Sequence, residues 1–206
     1  MKLVQIAGYL GSGKTTLIIA LSKGLSEQGK RVAILVNDVG EVSVDGSVME
    51  EYGLTVKDIG GGCICCQVAG SMLKTLELLA KGPNPDIIII EPTGMAVPKA
   101  IKETVLMLSV KKVTIEIGPT IVLFDMTRSE KLLNYETLKR LITTQLKDAD
   151  IVALSKADMV SEEAIGHAGE TVHLINPKAD IIRLSTRTGM GLSGLVRSVS
   201  EATVRV

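Results

Sequence analysis

A glycine-rich stretch from Gly8 to Thr16, GYLGSGKTT, constrains the fold of this chain more than any other feature. It follows the apolar run KLVQIAG and opens a segment with helical spacing from Lys14 to Gln28. The pattern G-x-x-x-x-G-K-S/T, placed between a strand and a helix, is typical of a loop that binds phosphate groups. A purely structural glycine-rich turn is the alternative, but the agreement of strand, spacing and helix favours the phosphate loop.

Five further apolar runs rich in β-branched residues predict strands that are buried on both faces. Segments with helical spacing lie between the runs, and Ser161 is placed to cap one of them. Strands that alternate with helices predict an α/β fold of the three-layer P-loop NTPase type, with a mostly parallel central sheet and helices on both faces. The runs are RVAILVND (31–38), PDIIIIEP (85–92), GPTIVLFD (118–125), ADIVALSK (149–156) and ADIIRLST (179–186), and the further helical segments are Ser71 to Lys81, Ser129 to Lys147 and Glu162 to Leu174.

The length and composition are those of one domain with an aliphatic core. Of the 206 residues, 46% are hydrophobic but only three tyrosines and one phenylalanine are aromatic, so we expect a single domain over residues 1–206. Lys plus Arg and Asp plus Glu number 23 each, and this balance gives no net field for a nucleic acid or a membrane surface. The apolar runs are shorter than the roughly 18 residues of a membrane span, and no signal-peptide cleavage region is recognisable. We expect a cytoplasmic protein.

The glycine-rich loop predicts a site for a nucleoside triphosphate with Mg²⁺. Gly11 and Gly13 let the backbone curl so that its N–H groups face the β-phosphate, while Lys14 reaches the β and γ oxygens. The Thr15 hydroxyl is the expected protein ligand of Mg²⁺. The residues predicted to bind the phosphates are Gly8, Gly11, Ser12, Gly13, Lys14, Thr15 and Thr16.

Two segments near the C-terminal end predict the site of the base. Ser155, Lys156 and Asp158 lie at the carboxyl end of the run ADIVALSK. A carboxylate at Asp158 can accept hydrogen bonds from guanine N1–H and N2–H₂, whereas adenine has no donor at N1. The Lys156 stem can cover the face of the base. Ser185 and Thr186 begin the later loop STRTGMG, whose backbone N–H groups could face guanine O6. The pair of segments favours GTP over ATP.

These motifs together resemble a family, the metal-chaperone and metal-insertase P-loop GTPases, and in particular the CobW-like branch that is related to the urease and hydrogenase nickel-insertion GTPases. Ser155 stands where the family usually has Asn, and Asn37-Asp38 stands where Asn-Glu is more frequent. CobW-like members commonly carry a C-terminal domain and often a histidine-rich tract, neither of which we expect here. The resemblance rests on GYLGSGKTT (8–16), VNDVGEVSVDG (36–46), GGGCICC (60–66), EPTG (91–94), QLKDADIVALSKAD (145–158) and STRTGMG (185–191).

The cysteines of the chain, Cys63, Cys65 and Cys66, fall within four residues behind three glycines. Three thiolates supply three positions of a tetrahedral site for Zn²⁺, Co²⁺ or Ni²⁺, and the glycines give the freedom to bend the loop around a metal. The resemblance implies that this segment is a nucleotide-responsive switch near the γ-phosphate. Buried small apolar residues or a vicinal redox pair are the alternatives.

Several carboxylates are candidates for hydrolysis and for completing the metal site. Asp38 and Glu91 each lie just past a predicted strand, where either could order Mg²⁺ or the attacking water. Together with Glu41 they are candidates for the fourth metal ligand. Asp125 could be only a strand-end cap. His167 and His173 are six residues apart on one helical segment, hence on different faces, and we expect neither to bind a metal.

The function that these observations favour is a GTPase that converts GTP and water into GDP and phosphate with slow intrinsic turnover, because no arginine is evident as a finger in cis. It would bind a transition metal at the cysteines and deliver it to a client protein, with a GTP- or metal-dependent homodimer as a further expectation. The alternatives are a nucleotide-gated metal-binding module whose hydrolysis is incidental, and a P-loop small-molecule kinase.

Overall fold

The computed structural model describes residues 1–36, 55–58, 76, 79–80, 84–92, 98–99, 101–103 and 115–201. Within these residues the strands form one seven-stranded sheet, in which every pair of neighbours is parallel. The strands are β1 (Lys2–Gly8), β2 (Val32–Val36), β3 (Thr55–Asp58), β4 (Ile87–Glu91), β5 (Glu116–Asp125), β6 (Ile151–Ser155) and β7 (Asp180–Leu184), in the spatial order β3-β2-β4-β1-β5-β6-β7.

The described helices lie between these strands, except for the last one, which follows β7. They are α1 (Lys14–Glu27), α2 (Ser129–Leu133), α3 (Glu136–Lys147), α4 (Glu162–Ile175) and α5 (Leu192–Glu201), with a 3-10 turn at Ala157–Met159. The predicted cap of α4 is confirmed, because the Ser161 hydroxyl accepts a hydrogen bond from the Ala164 N–H at 3.2 Å. No described helix is long and apolar enough to cross a membrane.

The structure differs from the predicted elements in two places. The segment from Ser129 to Lys147 forms two helices instead of one, because Tyr135 adopts an extended backbone (φ −97°, ψ 114°) between them. No glycine or proline marks this break in the sequence. Strand β3 was not predicted, since Thr-Val-Lys-Asp is short and half charged and lacks the apolar run that the other strands have.

The core lies on both faces of the sheet, as the continuous apolar runs predict. In β4, Ile87 and Ile89 pack into the layer that contains α1 and α5, while Ile88 and Ile90 belong to a cluster on the opposite face. Alternate side chains of a strand point to opposite faces, so a run of four isoleucines is what a strand covered on both sides requires. Farther along that opposite face, Phe124 packs with residues of α3 and α4. The three-layer α/β prediction is confirmed.

The register of the strands places their carboxyl ends along one edge of the sheet. On one side, Asp125 of β5 is in register with Ser155 of β6, which is in register with Leu184 of β7. On the other side, Val36 of β2 pairs with both Asp58 of β3 and Glu91 of β4. Strand β1 lies between β4 and β5, which is where chain order reverses and where ligands bind in open parallel sheets.

Candidate nucleotide-binding site

The loop between β1 and α1 has the backbone geometry of a phosphate cradle. Gly8 has φ 139°, and a Cβ atom built there would lie 2.7 Å from the Leu123 carbonyl oxygen, so only glycine fits. Gly13, with φ 97°, is the last residue before α1 and offers no side chain to cap the helix. The first turn of α1 also contains no acidic residue. Its N–H groups and the positive end of the helix dipole are therefore available to an anion.

The first two residues of α1 carry the predicted phosphate and magnesium ligands. Lys14 is only 8% exposed, so little of its side chain reaches bulk solvent. The Thr15 hydroxyl lies 3.0 Å and 3.2 Å from the two carboxylate oxygens of Glu91, which is the last residue of β4 and is itself buried. A hydroxyl and a carboxylate are the hard oxygen ligands that Mg²⁺ takes, so the residues present fit a magnesium ion at this point.

The end of β6 is bonded directly to the phosphate loop. The buried Ser155 hydroxyl donates to the Ser12 carbonyl oxygen at 3.0 Å, and the Lys156 ammonium donates to the Gly11 carbonyl oxygen at 3.0 Å. Lys156 reaches this position from a left-handed backbone conformation with φ 58°, which is uncommon for a residue with a side chain. Two of the five residues predicted for the base thus also bond to the loop predicted for the phosphates.

A cavity of about 200 Å³ joins the phosphate loop to the segments predicted for the base. Its walls come from the loop, from the residues after β6 and from the residues after β7. The structure therefore brings together two regions that the sequence keeps more than 130 residues apart. The lining residues are Ser12, Gly13, Thr16, Leu123, Ser155, Lys156, Asp158, Met159, Leu184, Ser185, Thr186 and Arg187.

Asp158 is held within this cavity by donors from the loop that follows β7. The Ser185 hydroxyl and the Arg187 guanidinium lower the pKa of the Asp158 carboxyl below its usual value, because both donate hydrogen bonds that favour the ionised form. Arg187 Nε donates to Asp158 Oδ2 at 2.8 Å, and Arg187 Nη2 donates to the same oxygen. The carboxylate is therefore an ionised acceptor at the place where a guanine edge is expected.

Asp125 does more than cap the end of its strand. Its Oδ1 accepts hydrogen bonds from the Thr127 N–H at 3.0 Å and from the Thr127 hydroxyl at 2.7 Å, as a strand-end cap would. Its Oδ2 accepts from the Lys156 ammonium at 2.7 Å, and its side chain is only 3% exposed. Asp125 thus fixes the lysine that reaches the phosphate loop, a contact between residues 31 positions apart that sequence patterns do not reveal.

Arg128 is a second residue of the site that sequence reasoning missed. Its Nη1 donates to the Leu10 carbonyl oxygen at 3.2 Å, and its guanidinium lies over the Tyr9 ring at 5.9 Å from the centroid. A positive charge therefore lies against the outside of the phosphate loop. No motif in the sequence contains this arginine, and the only signal available is that it follows the carboxyl end of the strand beside β1.

The predicted metal ligands lie mostly outside the described residues. The ligands outside the described residues are Asp38, Glu41, Cys63, Cys65 and Cys66, and their placement stays a prediction. Within the described part of the chain, no group of three or more His, Cys, Asp or Glu side chains could hold a metal ion. The two histidines, at positions 167 and 173, are exposed on α4.

The fold and the sequence match a known class of nucleotide-binding domain. The family described as "CobW/HypB/UreG, nucleotide-binding domain" matches residues 2–183. The chain belongs to this family, which confirms the resemblance inferred from the motifs.

Individual relatives have zinc and GTPase in their names. The chain is 35% identical over 161 residues to the zinc chaperone YeiR of Escherichia coli, and the match covers 77% of this chain and 47% of the relative. It is 31% identical over 184 residues to zinc-regulated GTPase metalloprotein activator 1 of Schizosaccharomyces pombe, with 86% and 44% covered. The crystal structure of the Zn(II)-bound YjiA GTPase from E. coli is similar at a TM-score of 0.66 with 27% identity, covering 88% of this chain and 56% of that one. The chain spans about half the length of the curated relatives it matches.

We expect Asp125→Asn to lower the free energy of unfolding by about 1–3 kcal/mol, because it removes the charged partner of Lys156 in a buried setting. The amide oxygen can still accept from Thr127, so the strand-end cap is kept. Urea unfolding measures the loss. Asp86→Asn is the matched control, since Asp86 is paired with Arg31 at 3.2 Å on the surface and its loss should be smaller. Equal losses in the two variants would contradict a special role for Asp125.

Proposed function

We propose that this chain is a GTP-hydrolysing switch that binds a transition metal and passes it to a client protein. The observation that carries the proposal is the joining of the phosphate loop to the base cavity through Ser155 and Lys156. A glycine turn with a purely structural role does not require hydrogen bonds to a second loop that holds an ionised carboxylate. A nucleotide that spans both features accounts for their connection.

The base that this cavity fits best is guanine. Asp158 is an acceptor that stays ionised because its pKa is lowered, and guanine presents two N–H donors on the edge that such a carboxylate would meet. Adenine presents no donor at N1, so it would leave the carboxylate without a partner from the ligand. Ser185 and Thr186 line the same cavity, and the backbone N–H groups of their loop are the proposed donors to O6.

Hydrolysis would be carried by positioning and charge at the phosphate loop. Thr15 and Glu91 would hold Mg²⁺, which would supply positive charge to the phosphate groups. Lys14, whose side chain is buried, would add a second positive charge. Glu91 accepts the hydrogen bond of the Thr15 hydroxyl and so fixes the orientation of that hydroxyl. Asp38 is the proposed partner of Glu91 in ordering water, since it lies two residues beyond the end of β2.

The metal cargo would be bound by Cys63, Cys65 and Cys66. Strand β3 ends at Asp58, in the row that contains Val36 and Glu91, and Cys63 follows five residues later. Five residues reach at most about 18 Å, whereas two strand spacings between β3 and β4 amount to about 10 Å. The connectivity therefore allows the cysteines to approach Glu91 and the γ-phosphate, as a nucleotide-linked metal site requires.

The identity of the cargo is suggested by the relatives. A zinc chaperone and a zinc-regulated GTPase metalloprotein activator are among the proteins most similar to this chain, and three thiolates form a good Zn²⁺ site. Zn²⁺ is therefore the first candidate, with Co²⁺ and Ni²⁺ as the others. A client protein that receives the metal, and a homodimer that forms with GTP or metal, remain part of the proposal, as does a cytoplasmic location.

Lys14→Ala should reduce GTP turnover by a factor of about 100 or more, because it removes the charge that neutralises the transferred phosphoryl group. Phosphate release under saturating GTP and Mg²⁺ measures the effect. Lys139→Ala, a change on an exposed face of α3, serves as the control and should leave turnover as it is. Undiminished turnover in the Lys14 variant would remove the assignment of the phosphate loop.

Asp158→Asn should lose the preference for GTP over ATP, because an amide offers a donor where guanine needs an acceptor. The same variant should gain affinity for xanthosine triphosphate, whose carbonyl at C2 can accept from that amide. Binding of the three nucleotides is compared by competition with a fluorescent GDP. If the wild type binds ATP as tightly as GTP, the guanine site is wrong.

Cys63→Ser, Cys65→Ser and Cys66→Ser should each lose most of the Zn²⁺ affinity while GTP binding without metal survives, because two thiolates make a much weaker site than three. In the wild type, a non-hydrolysable GTP analogue should tighten Zn²⁺ binding relative to GDP by roughly 5- to 150-fold, as expected for a coupling of ordinary size. Chelator competition on reduced protein measures both. Equal affinities in the two nucleotide states would leave a metal-binding module without a switch.

A further inference from the structure

The carboxylate proposed to bind the base has a hydrogen-bond partner within the chain, Arg187. The Asp158 side chain is only 9% exposed, while the Arg187 side chain that covers it is 75% exposed. Two donors of the guanidinium, Nε and Nη2, converge on one oxygen of Asp158. Arg187 and Asp158 also line the same cavity, so the guanidinium lies where an incoming base must make its contacts.

Guanine and Arg187 both present N–H donors that require Asp158 as the hydrogen-bond acceptor. The guanidinium presents two neighbouring N–H groups in a rigid fork, and guanine presents N1–H and N2–H₂ along one edge. Both N–H groups of Arg187 bond to Oδ2. A base edge that presents two N–H groups to the two oxygens of the carboxylate needs Oδ2 as well, so the guanidinium and the base compete for that oxygen.

We propose that Arg187 is an internal competitor of guanine for Asp158, so that the guanidinium pairs with the carboxylate until a guanine nucleotide binds and displaces it. This inference rests on the proposed guanine site. It makes Arg187 a specificity-determining residue, because only a base that supplies N–H donors to Asp158 can replace the N–H donors of the displaced guanidinium. Adenine brings none at N1, so it would face a carboxylate that the arginine still holds.

The arginine can leave without disturbing the loop that carries it. Ser185 N–H donates to the Met190 carbonyl at 3.0 Å, Gly189 N–H donates to the Ser185 carbonyl at 2.9 Å, and Thr188 N–H donates to the Ser185 hydroxyl at 3.2 Å. None of these bonds uses the Arg187 side chain. Within the described residues its guanidinium hydrogen bonds go to Asp158 alone, and an exposed guanidinium is readily hydrated when it moves away.

The test is the affinity of GDP for Arg187→Gln compared with the wild type, measured by calorimetry in the presence of Mg²⁺. We expect GDP to bind about two- to five-fold more tightly to the variant at low salt, the size of an exposed ion pair. The ratio of the two affinities should approach one at high salt, because salt screens the pair in the wild type. ADP affinity should be the same in both proteins, since adenine does not compete for Asp158.

Arg183→Gln is the matched control. Arg183 lies on β7, four residues before Arg187, and is paired with the exposed Glu162 at 2.7 Å. Its loss should alter neither GDP nor ADP affinity, and thermal unfolding of both variants reports whether either change disturbs the fold. Arg187→Lys keeps the charge but loses the fork, so its GDP affinity should lie between those of the wild type and Arg187→Gln.

Two results would overturn the inference while leaving the guanine site in place. Weaker GDP binding to Arg187→Gln would mean that the arginine orients Asp158 or holds the base, and unchanged GDP binding at low salt would mean that the pair does not compete. Both results presuppose that the wild type prefers GDP to ADP and that Asp158→Asn removes this preference. If the wild type shows no preference, the guanine site itself is wrong and this inference fails with it.

Discussion

The ammonium group of Lys156 is the contact on which the arrangement of the nucleotide site depends. It joins the buried Asp125 carboxylate to the Gly11 carbonyl, and so it connects the ends of two neighbouring strands to the phosphate loop. A carboxylate buried to this extent needs a charged or hydrogen-bonded partner. Lys156 provides it from a left-handed backbone conformation. The phosphate loop and the cavity proposed for the base are consequently joined by hydrogen bonds.

Local signals in the sequence were sufficient for most of the fold and for the phosphate loop. The run of isoleucines in β4 predicts a strand covered on both faces because each face needs its own apolar side chains. The spacing of Gly8, Gly13 and Lys14 predicts a phosphate loop because each residue has a separate geometric task. Strand β3 and the break at Tyr135 were missed, since neither has an apolar run or a glycine or proline to mark it.

The contacts that shape the base cavity could not be predicted, because they join residues that are distant in the chain. Asp125 and Lys156 are 31 positions apart, and Asp158 and Arg187 are 29 positions apart. Each of the four residues has an ordinary interpretation on a solvated surface, and only the register of β5, β6 and β7 brings them together. Arg128 beside Leu10 is a similar case, since its role follows from the neighbouring position of β5 and β1.

Strand β1 divides the sheet into two sides to which the proposed function assigns different roles. The groups proposed to read the base all come from the side of β5, β6 and β7, while Glu91 and the segments that follow β2 and β3 belong to the other side. The phosphate loop stands on the boundary. A nucleotide bound as proposed would meet the second side only through the far end of its phosphate chain. The two sides would then respond to different parts of the ligand. One would discriminate guanine from adenine, and the other would detect whether the γ-phosphate is present.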